Sequence, residues 1–162
     1  MVEMTVQRVG IDPRRNAVLI LADGDGHRLL PIYIGFYEAQ SIAMAISGED
    51  IGRPLTHDLL LAIIEAFEGR LAEVCVTRLV ERTFYAVLRV AVGERVVEVD
   101  SRPSDAVALA VRTGARIMVA EEVLSVAQVI ETDAEQEEED KEKFRDLLGR
   151  IDFDEESPDA EQ

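Results

Sequence analysis

The chain has 162 residues, 48% of them hydrophobic, and 33 acidic against 17 basic side chains give a formal net charge of −16. That length suits one domain of ordinary size with an appendage rather than two domains. No run approaches the roughly 18 uninterrupted apolar residues of a membrane helix, and the opening Met1-Val2-Glu3-Met4-Thr5-Val6 lacks the basic start and apolar run of a secretory signal, so we expect a cytoplasmic protein with no membrane partner.

Cys75 is the single cysteine, which excludes an intrachain disulfide and a thiolate zinc cluster. Within Glu73-Val74-Cys75-Val76-Thr77 it reads as a small strand hydrophobe. The charge is uneven: residues 121–162 hold 17 acids and 4 basic residues, leaving a net of −3 for residues 1–120, where all 13 basic residues are arginines. Such a body can bind phosphate through guanidinium forks without showing the basic stripe of most nucleic-acid binders.

Taken in chain order, β-branched alternation predicts strands over Met4–Ile11, Ala17–Ala22 and Arg28–Ile34, with a turn at Asp23–Gly26 whose neighbour His27 reads as exposed. Helical patterns follow over Tyr37–Ser47 and Thr56–Glu68. The second of these is apolar nearly all round and is expected to be buried on more than one side. Strands are predicted again over Leu71–Val80, Thr83–Val92 and Arg95–Asp100, with a turn at Gly93-Glu94, and then a helix over Ser104–Arg112. Two stretches, each reading strand, tight turn, strand and Ala-rich helix, suggest an internal repeat. The expected fold class is α+β: a hairpin-plus-helix unit repeated twice around a buried central helix, with a mixed or antiparallel sheet and an acidic C-terminal tail. Residues 1–130 form the domain. Residues 131–162 form the tail, a solvated and partly disordered stretch in which Phe144, Leu147, Leu148 and Ile151 recur at helical spacing and suggest a short amphipathic helix that docks on the body or on a protein partner.

Two stretches share one grammar. In Asp100-Ser101-Arg102-Pro103-Ser104-Asp105, Pro103 suits the first helical position, Ser101 or Ser104 is a cap, and Asp105 complements the helix dipole. In Arg53-Pro54-Leu55-Thr56-His57-Asp58, Thr56 is the expected cap. A helix start disfavours a cationic imidazole, so His57 is read as a neutral base or metal ligand. If the two helix starts converge, their arginines and backbone N–H groups face an anion while the carboxylates hold a divalent metal. Glu38 occupies the first turn of the first helix. Asp100 ends a strand on the face of Glu98 and is a further candidate.

The segments LPIYIGFYEAQSIA, RPLTHDLL, FYAVLRV and VDSRPSDAVALAVR, in this order and spacing, resemble the bifunctional nuclease domain family over roughly residues 4–130. The resemblance implies a compact α+β domain that commonly self-associates, a dimer being favoured, and nuclease activity on DNA and RNA as reported for plant members. Some relatives continue into a helical module linked to excision repair, where this chain has only its acidic tail. On the matched motifs, metal-assisted hydrolysis assigns catalytic roles to His57, Asp58, Asp100 and Asp105 and substrate contacts to Arg53, Thr56, Arg102 and Ser104. Mg²⁺ or Mn²⁺ would be held by Asp100, Asp105 and Glu38, with no organic cofactor. Two alternatives stand beside this: a non-enzymatic anion- or protein-binding regulatory module that self-associates, and a purely structural oligomer whose Arg/Asp pairs are internal salt bridges.

Overall fold

The computed structural model describes residues 1–131. Strands β1 (Val2–Ile11), β2 (Ala17–Asp23) and β3 (Arg28–Ile34) precede helices α1 (Phe36–Ser47) and α2 (Thr56–Ala66). Strands β4 (Gly69–Val80), β5 (Thr83–Val92) and β6 (Arg95–Ser101) lead into α3 (Pro103–Thr113), β7 (Arg116–Val119), α4 (Glu121–Val126) and the two-residue β8 (Ile130–Glu131). The strands form one mixed sheet in the order β6-β5-β4-β7-β1-β2-β3-β8, antiparallel except where β4 runs parallel to β7. Seven principal strands and four helices thus make an α+β fold, as the sequence patterning predicts. The tail with Phe144, Leu147, Leu148 and Ile151 lies outside the described residues, and among those residues no helix is long and apolar enough to cross a membrane.

The expected arrangement around α2 is not what the chain adopts. Each hairpin is followed by a helix, but β2–β3 and β5–β6 are opposite wings of one sheet and do not enclose a central helix. His57 is the only buried residue of α2, whereas Leu59, Leu60 and Ile63 are exposed. An all-round apolar helix needs only one covered side to be placed, and Leu61 and Ile64 provide it by packing against the core. Close seating also depends on Gly69, where a Cβ would come within 3.1 Å of both Ile64 and Val90 side-chain atoms.

Burial concentrates instead on α3, in which Ala106, Val107, Ala108, Leu109 and Ala110 are all buried. They pack with Leu71, Val74, Val76, Ala86 and Val90 of the sheet and with Ile42 of α1. Alanine here keeps α3 thin, so helices on both sides approach it closely. The short strand β7 and helix α4 have no counterpart among the predicted elements. Four residues of Arg116-Ile117-Met118-Val119 are too few for periodicity to register, and they become a strand because β4 and β1 supply partners on both sides.

The β4–β5 hairpin closes through Glu81-Arg82, both in the left-handed region at φ 48° and 69°. Two-residue hairpin turns of this kind favour Asn-Gly, because a Cβ is strained at positive φ by about 1–2 kcal/mol. Replacing the pair by Asn-Gly (E81N/R82G) should raise unfolding stability by about 1 kcal/mol. A urea titration showing an unchanged or lower midpoint would contradict this.

Candidate functional site

The first turns of α1, α2 and α3 meet over the face of the sheet that carries the main core. Glu38 is the third residue of α1 and Asp105 the third of α3. Both accept hydrogen bonds from the guanidinium of Arg102, the residue at the α3 N-cap. Arg102 Nη2 donates to Glu38 Oε1 at 2.9 Å and to Asp105 Oδ1 at 3.1 Å, while its Nε donates to Asp105 Oδ2 at 2.7 Å. Gly35 precedes α1, and a Cβ there would collide with the Glu38 carboxylate, so glycine leaves room for Glu38 to fold back over the helix start.

His57 joins α2 to both neighbours. Its Nε2 lies 3.0 Å from Asp105 Oδ1 and its Nδ1 lies 2.8 Å from Ser41 Oγ of α1. Asp105 is held below the ordinary carboxylate range: burial opposes this, but hydrogen bonds from Arg102 and His57 outweigh it. An ionised Asp105 only accepts, so Nε2 carries the proton and, in the neutral ring, Nδ1 accepts from the Ser41 hydroxyl. Ser41 Oγ in turn accepts from Arg112 Nη2 at 2.9 Å. Arg112, only 10% exposed, also donates from Nε to Asp58 Oδ1 at 2.7 Å and to the carbonyls of Ala108 and Ser41. Asp58 completes the chain by accepting from its own helix start, the Leu55 N–H, at 2.8 Å. The Arg112 guanidinium, with that backbone bond second, holds Asp58 below the usual carboxylate range.

Seven side chains therefore form one connected path: Glu38, Arg102, Asp105, His57, Ser41, Arg112 and Asp58. The two sequence stretches do meet. Ser41 and Arg112 escape a reading confined to helix starts. Their signal is spacing: Ser41 stands three residues after Glu38 and Arg112 seven after Asp105, which puts each pair on one helix face.

Other candidates stand elsewhere. Asp100 is exposed on β6, and its register opposite Val87 places it with Glu98 on the sheet face that carries the Glu98–Arg89–Glu73–Arg116 ion pairs. Arg53 is exposed, and its side chain makes no hydrogen bond or ion pair with any described residue. Thr56 is exposed and begins α2; Leu55 takes the extended N-cap conformation, so Thr56 is not the cap. Nor do Ser101 and Ser104 cap α3. Arg102 is the N-cap, Ser101 Oγ donates to the Arg102 carbonyl, and Ser104 is buried, whereas Pro103 occupies the first turn as expected. Among the described residues, no three His, Cys, Asp or Glu side chains are gathered so as to hold a metal ion. Cys75 is fully buried, and burial pushes its thiol pKa up, which suits a strand hydrophobe.

An open groove of about 500 Å³ runs beside the network, bounded by Leu60 of α2, Phe84 and Leu88 of β5, Val99 and Asp100 of β6, and Arg102 and Asp105. Arg102 is 65% exposed at its mouth.

A family model described as the bifunctional nuclease domain matches residues 19–132, which includes every member of this network. The chain belongs to the bifunctional nuclease domain family. Two uncharacterized proteins from strains of Mycobacterium tuberculosis are each 41% identical over 156 residues, covering 90% of this chain and 93% of their own length. Within the family's domain, then, RPLTHD and DSRPSD are the two sides of one polar cluster.

Two outcomes follow from the network. Removing Arg112 leaves a largely buried cluster without its donor, and Arg112→Ala should cost about 2–3 kcal/mol, the upper part of the range for breaking a buried pair being screened by solvent at Asp58; equilibrium unfolding in urea measures it. Asp58 and Asp105 both titrate below their unfolded values, so their ionised forms favour the native state. That contribution is complete above the unfolded pKa of about 3.9 and is lost as pH falls through the depressed folded values. The urea midpoint should drop between pH 5 and pH 2.5, and by less in Asp58→Asn than in the parent chain.

Proposed function

We propose that this domain hydrolyses phosphodiester bonds of DNA or RNA, with the scissile phosphate captured by Arg102 at the mouth of the groove. The carrying observation is the position of Arg102, the most exposed member of the network's ion pairs, with a guanidinium that spans two carboxylates beside an open groove. A guanidinium fork suits phosphate as well as carboxylate, so a bound phosphate competes for Arg102. When Arg102 turns to the phosphate, it stabilises charge developing on the non-bridging oxygens and releases Glu38 and Asp105.

Those two residues fit a divalent cation once released. Their oxygens Oε1 and Oδ1 converge on one nitrogen of Arg102, a cationic group standing between two carboxylates. Mg²⁺ is commonly held by one or two carboxylates together with phosphate oxygens. Bound Mg²⁺ or Mn²⁺ supplies Lewis-acid stabilisation and an activated water. His57 acts through Asp105: it is buried with both ring nitrogens engaged, so it fixes the carboxylate's direction and is a positioning residue. Arg53 and Thr56 are exposed at the entry to α2, and in this reading they contact the nucleic-acid backbone. Asp100 borders the groove without joining the carboxylate pair.

The same network supports a second reading, a self-associating module that binds an anion or a protein without turnover. Each carboxylate of the path already has a guanidinium or imidazole partner, the arrangement expected when ion pairs fix geometry.

Cleavage of labelled single- and double-stranded DNA and RNA, with Mg²⁺, Mn²⁺ or EDTA, separates the two. Metal-dependent cutting is expected, reduced about 10²-fold in Arg102→Ala and at least as far in Asp105→Asn. Equal cutting by all three proteins would point to a contaminant. No cutting by the parent chain, with binding that weakens steeply with salt, would favour the second reading.

A further inference from the structure

Strand β6 closes one edge of the sheet, and its outer side has no partner among the described residues. Natural edge strands are protected by being short, charged, kinked by bulges or covered, because a free row of backbone N–H and C=O groups pairs with other chains. At the opposite edge, the described part of β8 is two residues long. Strand β6 has seven residues, pairs with β5 without a register shift, and exposes Val96 (61%), Val97 (43%) and Val99 (45%). On the helix side, Leu60, Ile63 and Phe67 of the α2 region add an exposed apolar stripe beside the same groove that Val99 lines.

We propose that β6 pairs antiparallel with β6 of a second copy of this chain across a two-fold axis, continuing the sheet from one subunit into the next. This names the surface for the self-association included in the second reading above, and it rests on that part of it. A two-fold contact requires a self-complementary patch, and β6 provides one. With the register centred on Val97, Val97 of one copy lies against Val97 of the other and each Glu98 faces a Val96. This register sets Asp100 of each copy opposite Glu94 of the other only at its ends, outside the valines. Centring on Glu98 would put two glutamates against each other at the axis itself, which is unfavourable. At roughly 100 Å² of exposed side chain apiece, the six apolar residues offer on the order of 600 Å², most of the ~800 Å² per partner found in a standard interface. The exposed β6 backbone and its rim supply the remainder. A two-fold pairing of this kind leaves one Arg102 on each subunit, at the end of β6 farther from the β5–β6 turn.

The test uses the full chain. Sedimentation equilibrium should show a dimer for the parent protein. Val97→Lys, at a half-exposed position, should weaken dimerisation at least 100-fold while keeping the far-ultraviolet circular dichroism of the parent. Val97→Cys should form an intermolecular disulfide on mild oxidation, because cross-strand neighbours in such a pair are within disulfide reach; Cys75 is fully buried and does not compete. A parent chain that is monomeric at all concentrations overturns both the pairing and the self-association on which it rests. A dimer that persists in Val97→Lys, with no cross-link in Val97→Cys, overturns the β6 surface alone and leaves self-association standing.

Discussion

The carboxylate of Asp105 faces the His57 imidazole on one side and accepts from Arg102 on the other, and this shared acceptor links three helices into one polar face. Without it, Arg102 would hold only Glu38, and the imidazole would have a partner only at Ser41. The bonds are charge-assisted and short, between 2.7 and 3.1 Å about Asp105. Their main effect is directional. Taking charges out of water consumes much of what the pairs return, so a network of this kind adds more to geometry than to stability. Arg112 has the matching role at the other end, where one guanidinium reaches α1 through Ser41 and α2 through Asp58.

That network depends on small side chains beneath it. The run Ala106-Val107-Ala108-Leu109-Ala110 is buried in full, and its alanines let α1 and α2 approach α3 closely enough for side chains as short as Ser41 and Asp105 to reach the two ring nitrogens of His57. Longer side chains there would push the helices apart, and the contact between Ser41 and His57 would be among the first lost. Gly35 and Gly69 work in the same direction, one clearing space for the Glu38 carboxylate and the other letting α2 seat against the sheet. Packing and polar chemistry are therefore coupled: the thin α3 sets the distances, and the polar chain occupies them.

The β5–β6 wing of the sheet is less closed. Strand β6 and the outward side of α2 keep large apolar side chains in water, whereas the equivalent region over β4, β7 and β1 is covered. The groove with Arg102 at its mouth lies between the two regimes, backed by the rigid network and bordered by the exposed edge. Membership in the bifunctional nuclease domain family extends across both, since the matched residues 19–132 run from β2 through the network and the edge strand.

Much of this was legible in the amino-acid order. Alternating β-branched residues marked six strands to within a few residues, and Pro103 marked the start of α3. The recurrence of Arg-Pro, a hydroxyl residue and Asp marked two helix starts as candidate halves of one site. Local pattern reaches this far because periodicity and capping are properties of neighbouring residues. It could not show that α2 lies at the surface, since apolar content says what a helix tolerates and only its neighbours determine what covers it. It could not place Asp100 apart from Asp105, because five residues along the chain include a strand end and a change of sheet face. Ser41 and Arg112 were hidden for the same reason: each is an ordinary helix residue until three helices converge. Sequence by itself determined the elements and the chemistry available to them; which groups meet, and which face water, was decided by tertiary packing, because those distances depend on the side chains of other elements.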